Sequence, residues 1–264
     1  MDFARYSTLA FARRGRILTV TINRPGQMNA VNQAMHEDLA HVFAELNSDP
    51  DSDVIVLTGA GRAFCAGGDA AWMQSMIDDP ARFRAIAPDA KRIVFGLLEL
   101  EKPIICRLNG PAAGLGASIA LMCDIIITAE SARIGDPHVK MGFVAGDGGA
   151  VIWPQLVGFA RAKEFLMTGR MIDAREAERI GLVNHVVSDT ELDVRVDAMA
   201  DELAAGPKWA IRWTKTVVNI ALRELAHKLM DASVAYEMMT NLTADHREAV
   251  AAFRERRAPK FGGI

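Results

Sequence analysis

The chain has 264 residues and is 50% hydrophobic, and its 30 basic and 33 acidic side chains leave a net charge of −3. Proteins bind a phosphate backbone mainly through surplus positive charge, so this balance argues against a nucleic-acid-binding protein. The sequence has no run of about 18 uncharged apolar residues and no secretion signal at its start. Cys65, Cys106 and Cys123 form no CxxC pair and no metal-ligand spacing. We therefore expect a cytoplasmic protein with no membrane association and no metal site.

Strand-like and helix-like segments alternate over the first two-thirds of the chain, and helices dominate the rest. In chain order the patterns predict a hairpin at 8–12 and 16–22, a helix capped by Asn32 and running to about 47, a buried strand at 54–58, a helix from about 81 that Pro88 interrupts and that resumes to 101, strands at 104–108, 125–128 and 132–134, and helices at 161–168, 173–180, 191–205 and 207–259. Repeated strand, glycine turn and helix indicate an α/β fold with a largely parallel sheet.

The last ~60 residues carry no strand pattern, and Gly206-Pro207 is the best candidate boundary before them. We therefore expect a core formed by residues 1–205 and a helical C-terminal region formed by residues 206–264.

Two glycine-containing turns each leave a strand and enter a helix, at residues 63–69 and 109–116. Each exposes backbone N–H groups at the positive end of a helix, and a missing Cβ lets a ligand oxygen approach closely. Two such turns side by side could each direct one N–H group at a single developing oxyanion. The alternative is that both are ordinary strand-to-helix turns.

A polar cluster follows the second turn. His138 lies beside a proline in an apolar, glycine-rich segment, and Asp147 follows nine residues later between two glycines. Histidine is the natural proton carrier near neutral pH, and a carboxylate can orient its ring or activate water. The alternative is a capping aspartate and a core histidine. Ser118 lies in a segment close to a nucleophile elbow, but the order Ser118, His138, Asp147 is wrong for an α/β-hydrolase. No nucleotide-binding fingerprint is complete.

Together these residues resemble the crotonase superfamily, also called the enoyl-CoA hydratase/isomerase superfamily. The likeness extends from residues 23–30, through both glycine turns, to 122–124 and 181–183. It implies a crotonase fold, a spiral of ββα units, with a helical C-terminal part that forms trimers and often a dimer of trimers. The family stabilises an enolate formed from an acyl-CoA thioester. Coenzyme A is therefore expected as part of the substrate, without a tightly bound cofactor.

The resemblance also implies roles for individual residues. It assigns the N–H groups of Ala66 and Leu115 to the oxyanion hole, with Gly67, Gly68 and Gly114 shaping the turns. It places the CoA thioester against Arg24, Gln27, Met28, Ala30 and Ser118, and Asp69 either contacts the adenine side or fixes its own turn. Lys260 and Phe261 resemble residues that reach the nucleotide of a neighbouring subunit. Selection of the acyl group is expected around residues 72–77 and 81–100 and Trp153.

The chain departs from the hydratase pattern. Hydratases of the family carry two glutamates that activate water, and the matching positions here are Ser118 and His138. Serine cannot act as a carboxylate base at neutral pH, which argues against hydration of a simple enoyl-CoA. We expect an enolate-stabilising enzyme that performs isomerisation, dehydration/hydration or related lyase chemistry. His138 would be its acid/base, and Asp147 would orient the ring or act as a second proton carrier.

Two alternatives stay open. One is a CoA-independent β-diketone hydrolase, whose active-site His and Asp this pair resembles; the second active-site His of those enzymes has no equivalent, because Leu115 stands near its position. The other is an acyl-CoA-binding protein without catalytic activity.

Overall fold

The structure is a computed structural model, and it describes residues 2–263. In chain order its strands and helices are β1 (Leu9–Arg14), β2 (Ile17–Ile22), α1 (Gln33–Ser48), β3 (Val54–Gly59), α2 (Ala70–Asp78), α3 (Pro80–Glu99), β4 (Ile104–Leu108), β5 (Ala112–Ala113), α4 (Leu115–Leu121), β6 (Ile125–Ala129), β7 (Arg133–Gly135), α5 (Gly149–Thr168), β8 (Ile172–Asp173), α6 (Ala174–Arg179), β9 (His185–Val187), α7 (Leu192–Ala205), α8 (Lys208–Thr240) and α9 (Ala244–Glu255).

Two sheets organise these elements. The larger has the strand order β1-β2-β3-β4-β6-β9, and the smaller has the order β5-β7-β8. In the larger sheet β1 pairs antiparallel with β2 as the predicted hairpin, and all the other pairs are parallel. All six residues of β3 are buried, as expected for a parallel strand covered on both faces. The segments β4–β5–α4 and β6–β7–α5 each form a ββα unit. The predicted α/β class is confirmed.

Helix α1 begins where the sequence predicts. The Asn32 side chain accepts a hydrogen bond from the Met35 N–H group at 3.0 Å, which satisfies one of the first free amides of the helix. One face of α1 is buried and packs against α3; it carries Met35, Leu39, Val42, Phe43 and Leu46. Apolar spacing of three and four residues is thus a reliable signal in this segment.

Three predicted helix boundaries are wrong. Pro88 lies inside the continuous helix α3. Proline has no N–H group to donate to the carbonyl of Arg84, but both residues are exposed, so water can bond to that carbonyl instead. Helix α5 begins at Gly149 and not at 161, and it bends at Gly158, which has the glycine-only angles φ 77° and ψ 160°. The long C-terminal stretch is divided into α8 and α9 by residues 241–243.

Buried polar contacts fasten α8 to the sheet and to α2. The Arg212 guanidinium donates to Asp53 at 2.8 Å, and the Lys215 ammonium donates to Asp124 at 2.8 Å. Near the other end of the helix, the Asn241 amide donates to the carbonyl of Met76 in α2 at 2.9 Å. Helix α8 therefore runs alongside the core and ends over α2. Within residues 2–263, no helix is both long enough and apolar enough to cross a membrane.

Candidate active site

The two glycine turns lie side by side. Strands β3 and β4 are parallel neighbours, so the turns that leave them meet at one edge of the sheet. The Cys65 N–H donates to the carbonyl of Pro111 at 3.1 Å, and the Ala113 N–H donates to the carbonyl of Cys65 at 2.9 Å. A Cβ on Gly116 would lie only 2.5 Å from the Cys65 carbonyl oxygen, so only glycine permits this approach.

The backbone amides of the turns differ in whether they are free. The Ala66 N–H donates to the carbonyl of Met28 at 3.1 Å, so the prediction that Ala66 supplies an oxyanion-hole donor is wrong. Within the described part of the chain, the N–H groups of Gly68 and Leu115 make no hydrogen bond to protein. Both residues line the same cavity. The free pair of donors is therefore Gly68 and Leu115.

The cavity beside these turns has a volume of about 310 Å³ and a mainly apolar lining. Its large apolar side chains include Trp72, Met73, Met76, Phe83, Ile86 and Phe143, most of them from α2 and α3. The stretches 72–77 and 81–100, where selection of the acyl group is expected, thus contribute to the cavity lining. Trp153 does not fit that expectation: it is fully buried, packs against Phe165 at a ring-centroid distance of 5.7 Å and lies outside the cavity lining.

His138 lies between two buried carboxylates on the wall of the cavity. Its Nδ1 atom bonds to Asp136, and its Nε2 atom lies 3.1 Å from Oδ2 of Asp147. The ring packs on the second glycine turn: Gly114 has φ +54°, and a Cβ there would meet Cε1 of His138 at 3.2 Å. Asp136 therefore orients the ring, a role that sequence reasoning offered to Asp147. Asp147 faces the other nitrogen.

Ser118 contacts the carboxylate of Asp147. Its hydroxyl donates to Oδ1 of Asp147 at 3.1 Å, and its side chain is buried outside the cavity lining. The predicted substrate contact of Ser118 is therefore wrong, and so is a serine nucleophile, because the hydroxyl bonds to the aspartate and not to His138. Its position fixes the Asp147 carboxylate.

His138 and Asp147 hold each other in charged states. Burial alone would lower the pKa of His138, but Asp136 and Asp147 outweigh burial and raise that pKa well above its usual 6.5. Burial would raise the pKa of Asp147, but the His138 cation and the Ser118 hydroxyl reverse this and lower it. At neutral pH the site therefore contains an imidazolium ion beside the ionised Asp147.

Glu237 is a site residue that the sequence analysis missed. It projects from α8 into the same cavity, and its Oε1 atom lies 4.0 Å from Nε2 of His138. Burial, with the nearby charge of Asp147, raises the pKa of Glu237 to about 8, so this carboxyl group is largely protonated at neutral pH. The available signal was a carboxylate on the apolar face of a helix, in register with Met230 and Val234, both of which are buried.

Asp136, His138 and Asp147 are a group of potential metal ligands, with ligand atoms within 4.8 Å of one another. The two carboxylates already occupy both nitrogens of the His138 ring, so a ring nitrogen would have to give up its carboxylate partner to bind an ion. The arrangement fits a proton-carrying histidine better than a metal centre.

The segment predicted to contact CoA is joined to the first glycine turn. Arg24 donates to the carbonyl of Ala30, and its second terminal nitrogen lies 3.3 Å from Asp69. Asp69 also caps α2 by accepting hydrogen bonds from the amides of Ala71 and Trp72. Of the other residues predicted to contact the substrate, Gly67 lines the cavity, Gln27 is exposed, and Met28 supplies the carbonyl bound by Ala66. Lys260 and Phe261 lie in the exposed C-terminal segment, outside the cavity lining.

Glu237 makes stability depend on pH in a defined direction. Between pH 4.5 and about 8 the folded protein keeps a proton on Glu237 that the unfolded chain has released, so the free energy of unfolding falls as pH rises. The slope is at most about 1.4 kcal/mol per pH unit for one group. We expect Glu237→Gln to flatten the slope measured by urea unfolding at pH 5, 6, 7 and 8.

His138 acts in the same direction, because its raised pKa adds stability that is lost as pH rises above 6.5. Some slope should therefore remain in Glu237→Gln. Glu224→Gln, an exposed position on the same helix, is the matched control and should leave the slope unchanged. Equal slopes for wild type and Glu237→Gln would contradict the protonated state.

Comparison with known proteins agrees with the fold. The family model described as enoyl-CoA hydratase/isomerase matches residues 12–263. The chain is 34% identical over 255 residues to a 1,2-epoxyphenylacetyl-CoA isomerase of Escherichia coli, covering 94% of this chain and 95% of that protein. A crystal structure of an enoyl-CoA hydratase/isomerase from Mycobacterium paratuberculosis has a TM-score of 0.89 and 36% identity, covering 93% and 98% of the two chains.

A β-diketone hydrolase from the cyanobacterium Anabaena, solved with (S)-3-oxocyclohexyl acetic acid, is also similar, with a TM-score of 0.85 and 28% identity over 91% of this chain and 96% of that one. The matches extend over nearly the whole sequence, and they agree with the mixed α/β fold and the helical C-terminal region. The chain therefore belongs to the enoyl-CoA hydratase/isomerase family, and it is an acyl-CoA-processing enzyme of that family.

Proposed function

We propose that the protein moves a proton on the acyl chain of a CoA thioester through an enolate intermediate, as an isomerase or a related lyase. The observation that carries the proposal is the position of the Asp136–His138–Asp147 group beside the free amides of Gly68 and Leu115 on one apolar cavity. Each part of the reaction has a matching group in this arrangement.

The two amides match the charge that develops. Removing a proton from the carbon next to a thioester leaves negative charge on the thioester oxygen. N–H donors already fixed in an apolar site stabilise such charge without reorganising. Since neither amide is bonded within the protein, accepting the oxygen requires no internal bond to break.

The His138–Asp147 pair matches the proton transfer. His138 is cationic and Asp147 is a carboxylate, so Asp147 can accept the substrate proton while His138 neutralises the charge beside it. The same pair can return the proton to another carbon, which completes an isomerisation without any further reactant. Asp136 holds the ring in place throughout. Hydration is the poorer match, because Ser118 and His138 stand at the positions assigned to the two hydratase glutamates.

CoA would lie along residues 24–30 and Asp69, next to the first glycine turn. The exposed Gln27 is available there, while the Arg24 side chain, bound to the Ala30 carbonyl and Asp69, holds the segment against the first glycine turn. Lys260 and Phe261, exposed in the C-terminal segment, would contact the nucleotide bound by a neighbouring copy of the chain. No tightly bound cofactor is needed for this chemistry.

Self-association would use the outer side of α8. This helix exposes large apolar side chains that a monomer would leave in water, namely Trp209, Trp213, Val217, Val218 and Tyr236. We infer a homotrimer or a dimer of trimers in the cytoplasm. Analytical ultracentrifugation tests the oligomeric state directly. A monomer at all concentrations would contradict it.

Formation of the enolate is tested by measuring proton exchange at the carbon next to the thioester. With butyryl-CoA in D₂O, we expect the enzyme to incorporate deuterium at the carbon next to the thioester, which mass spectrometry detects whatever the later steps are. CoA and acyl-CoAs should also raise the thermal unfolding temperature. Stabilisation by acyl-CoAs without exchange in any of a series of chain lengths would favour a binding protein without catalytic activity.

The second candidate is the CoA-independent cleavage of a β-diketone. The similar structure of the Anabaena hydrolase and the polar group on a largely apolar cavity favour considering it. Consumption of a cyclic β-diketone, with neither thermal stabilisation nor exchange in the presence of acyl-CoAs, would replace the first proposal by this one.

A further inference from the structure

His36 is a polar side chain on the wall of the cavity that the proposed reaction does not use. It lies near the start of α1, is only 4% exposed and packs against Trp72 with ring centroids 5.3 Å apart. Its neighbours on this wall, Val31 and Met73, are apolar. An aliphatic side chain would complete such a wall, so the imidazole requires an explanation.

Neither ring nitrogen of His36 has a hydrogen-bond partner in the described part of the protein; Nδ1 is fully enclosed by protein, so Nε2 is the atom that a ligand in the cavity could reach. A buried polar atom without a partner costs about 1–3 kcal/mol of stability. Several other buried polar atoms also lack partners, among them those of Tyr6, Trp153 and His246, but their residues do not line the cavity. His36 is thus the case in which a bound ligand could supply the missing partner.

The charges around the cavity restrict what that partner can be. Burial lowers the pKa of His36, so its imidazole is neutral at physiological pH and offers one N–H group and one lone pair. Glu237, on the same cavity, is largely protonated. Because the carboxylate of Asp147 also faces the cavity, a second negative charge on the ligand would be repelled. An uncharged oxygen is the matching group.

We propose that His36 is a specificity-determining residue that hydrogen-bonds an uncharged oxygen, as a hydroxyl or a ketone, on the acyl chain beyond the thioester carbonyl. This rests on the proposed function, since it assumes a CoA thioester in the cavity. The preferred substrates are then oxygen-bearing acyl-CoAs, and simple fatty acyl-CoAs are poorer ligands. A hydroxyl group satisfies either tautomer of His36, whereas a ketone requires the N–H group to point into the cavity.

The test uses unreactive CoA thioethers, so that turnover does not consume the ligand. The probes are S-hexyl-CoA and its analogues with a hydroxyl or a ketone at the third, fourth or fifth carbon, with affinities measured by isothermal titration calorimetry. We expect wild type to bind at least one oxygenated analogue about 2- to 10-fold more tightly than S-hexyl-CoA, the range of one hydrogen bond.

Variants assign that preference to His36. His36→Leu should abolish it and bind S-hexyl-CoA at least as tightly as wild type, while His36→Gln, which keeps a donor and an acceptor, should retain part of it. His41→Leu, on an exposed turn of the same helix, is the control and should behave as wild type. With the corresponding thioester substrates, His36→Leu should raise KM for the oxygenated chain more than it lowers kcat.

The outcomes separate this inference from the proposed function. If S-hexyl-CoA binds but no oxygenated analogue binds more tightly, or if His36→Leu keeps the preference, the role of His36 is wrong while the proposed function stands. If neither CoA nor any thioether binds, the proposed function itself fails.

Discussion

Replacing His138 by glutamine should lower kcat by about 10²- to 10⁴-fold, the usual contribution of a positioned acid/base. Glutamine fills similar space and can still bond to Asp136, but it cannot carry a proton or neutralise Asp147. The readout is deuterium incorporation into butyryl-CoA, with CoA binding measured in parallel. CoA affinity should be nearly unchanged, since residues 24–30 are untouched by the substitution. Exchange at the wild-type rate would contradict a role for His138 in the reaction.

His138→Gln should also lower the stability of the fold, which tests independently whether His138 is a cation between the two aspartates. Without the imidazolium, Asp136 and Asp147 become two buried carboxylates lacking a cation, and such a loss typically costs about 3–5 kcal/mol. The loss should be largest at pH 7 and smaller at pH 5, where protonation of a carboxylate becomes easier. Thermal unfolding at both pH values measures it. His227→Gln, at an exposed histidine of α8, is the control for a general effect of the substitution.

If His138→Gln does not fold, Asp147→Asn provides a second test of proton transfer at this site. Asparagine preserves the size of the side chain and its bond from Ser118, and it leaves His138 with Asp136 as its carboxylate partner. Exchange should fall by a comparable factor, because the atom proposed to accept the substrate proton is gone. A folded Asp147→Asn protein with unchanged exchange would overturn the proposed division of roles.

Replacing Leu115 by proline should lower kcat by about 10²- to 10³-fold, the typical effect of removing one oxyanion-hole donor. Leu115 is the first residue of α4, a position at which proline is well accepted, and its N–H group makes no hydrogen bond to protein within residues 2–263. The substitution thus deletes the donor without breaking an internal bond. Deuterium exchange gives the effect on the chemistry, and circular dichroism verifies the helices.

Leu115→Ala is the matched control for that experiment. Alanine removes the same buried side chain but keeps the amide, so any loss it causes reports packing alone. The difference between the alanine and proline variants isolates the N–H group. If the two variants have equal exchange rates, the Leu115 amide does not stabilise the reacting oxygen.

Local chemistry in the sequence predicts much of the framework. Asn32 is a helix cap with a direct side-chain contact, and residues 54–58 are predicted as a doubly buried strand because four consecutive apolar side chains precede Thr58. The helix boundaries at Pro88 and Gly158 were missed for a physical reason. Proline and glycine usually interrupt helices, but an exposed helix face and a bend between two packed halves tolerate them.

The site is only partly predictable because its members come from distant parts of the chain. His138 and Asp147 stand out locally, since polar residues are unusual in a glycine-rich apolar segment. Glu237 enters the site only through the packing of α8, ninety residues beyond Asp147, and no local pattern specifies that contact. The choice between the Ala66 and Gly68 amides likewise depends on which carbonyl each one meets, and that is decided by the path of residues 24–30.

Glu237 reaches the cavity only because of the direction in which it projects from α8. The helix is 33 residues long and is fastened near its start by Arg212 and Lys215, about six to seven turns before Glu237. Adding or deleting one residue between them would rotate the carboxyl group by about 100° around the axis, away from His138, whereas a seven-residue change would restore its direction. The length of this segment is thus as constrained as the identity of the residues in the cavity.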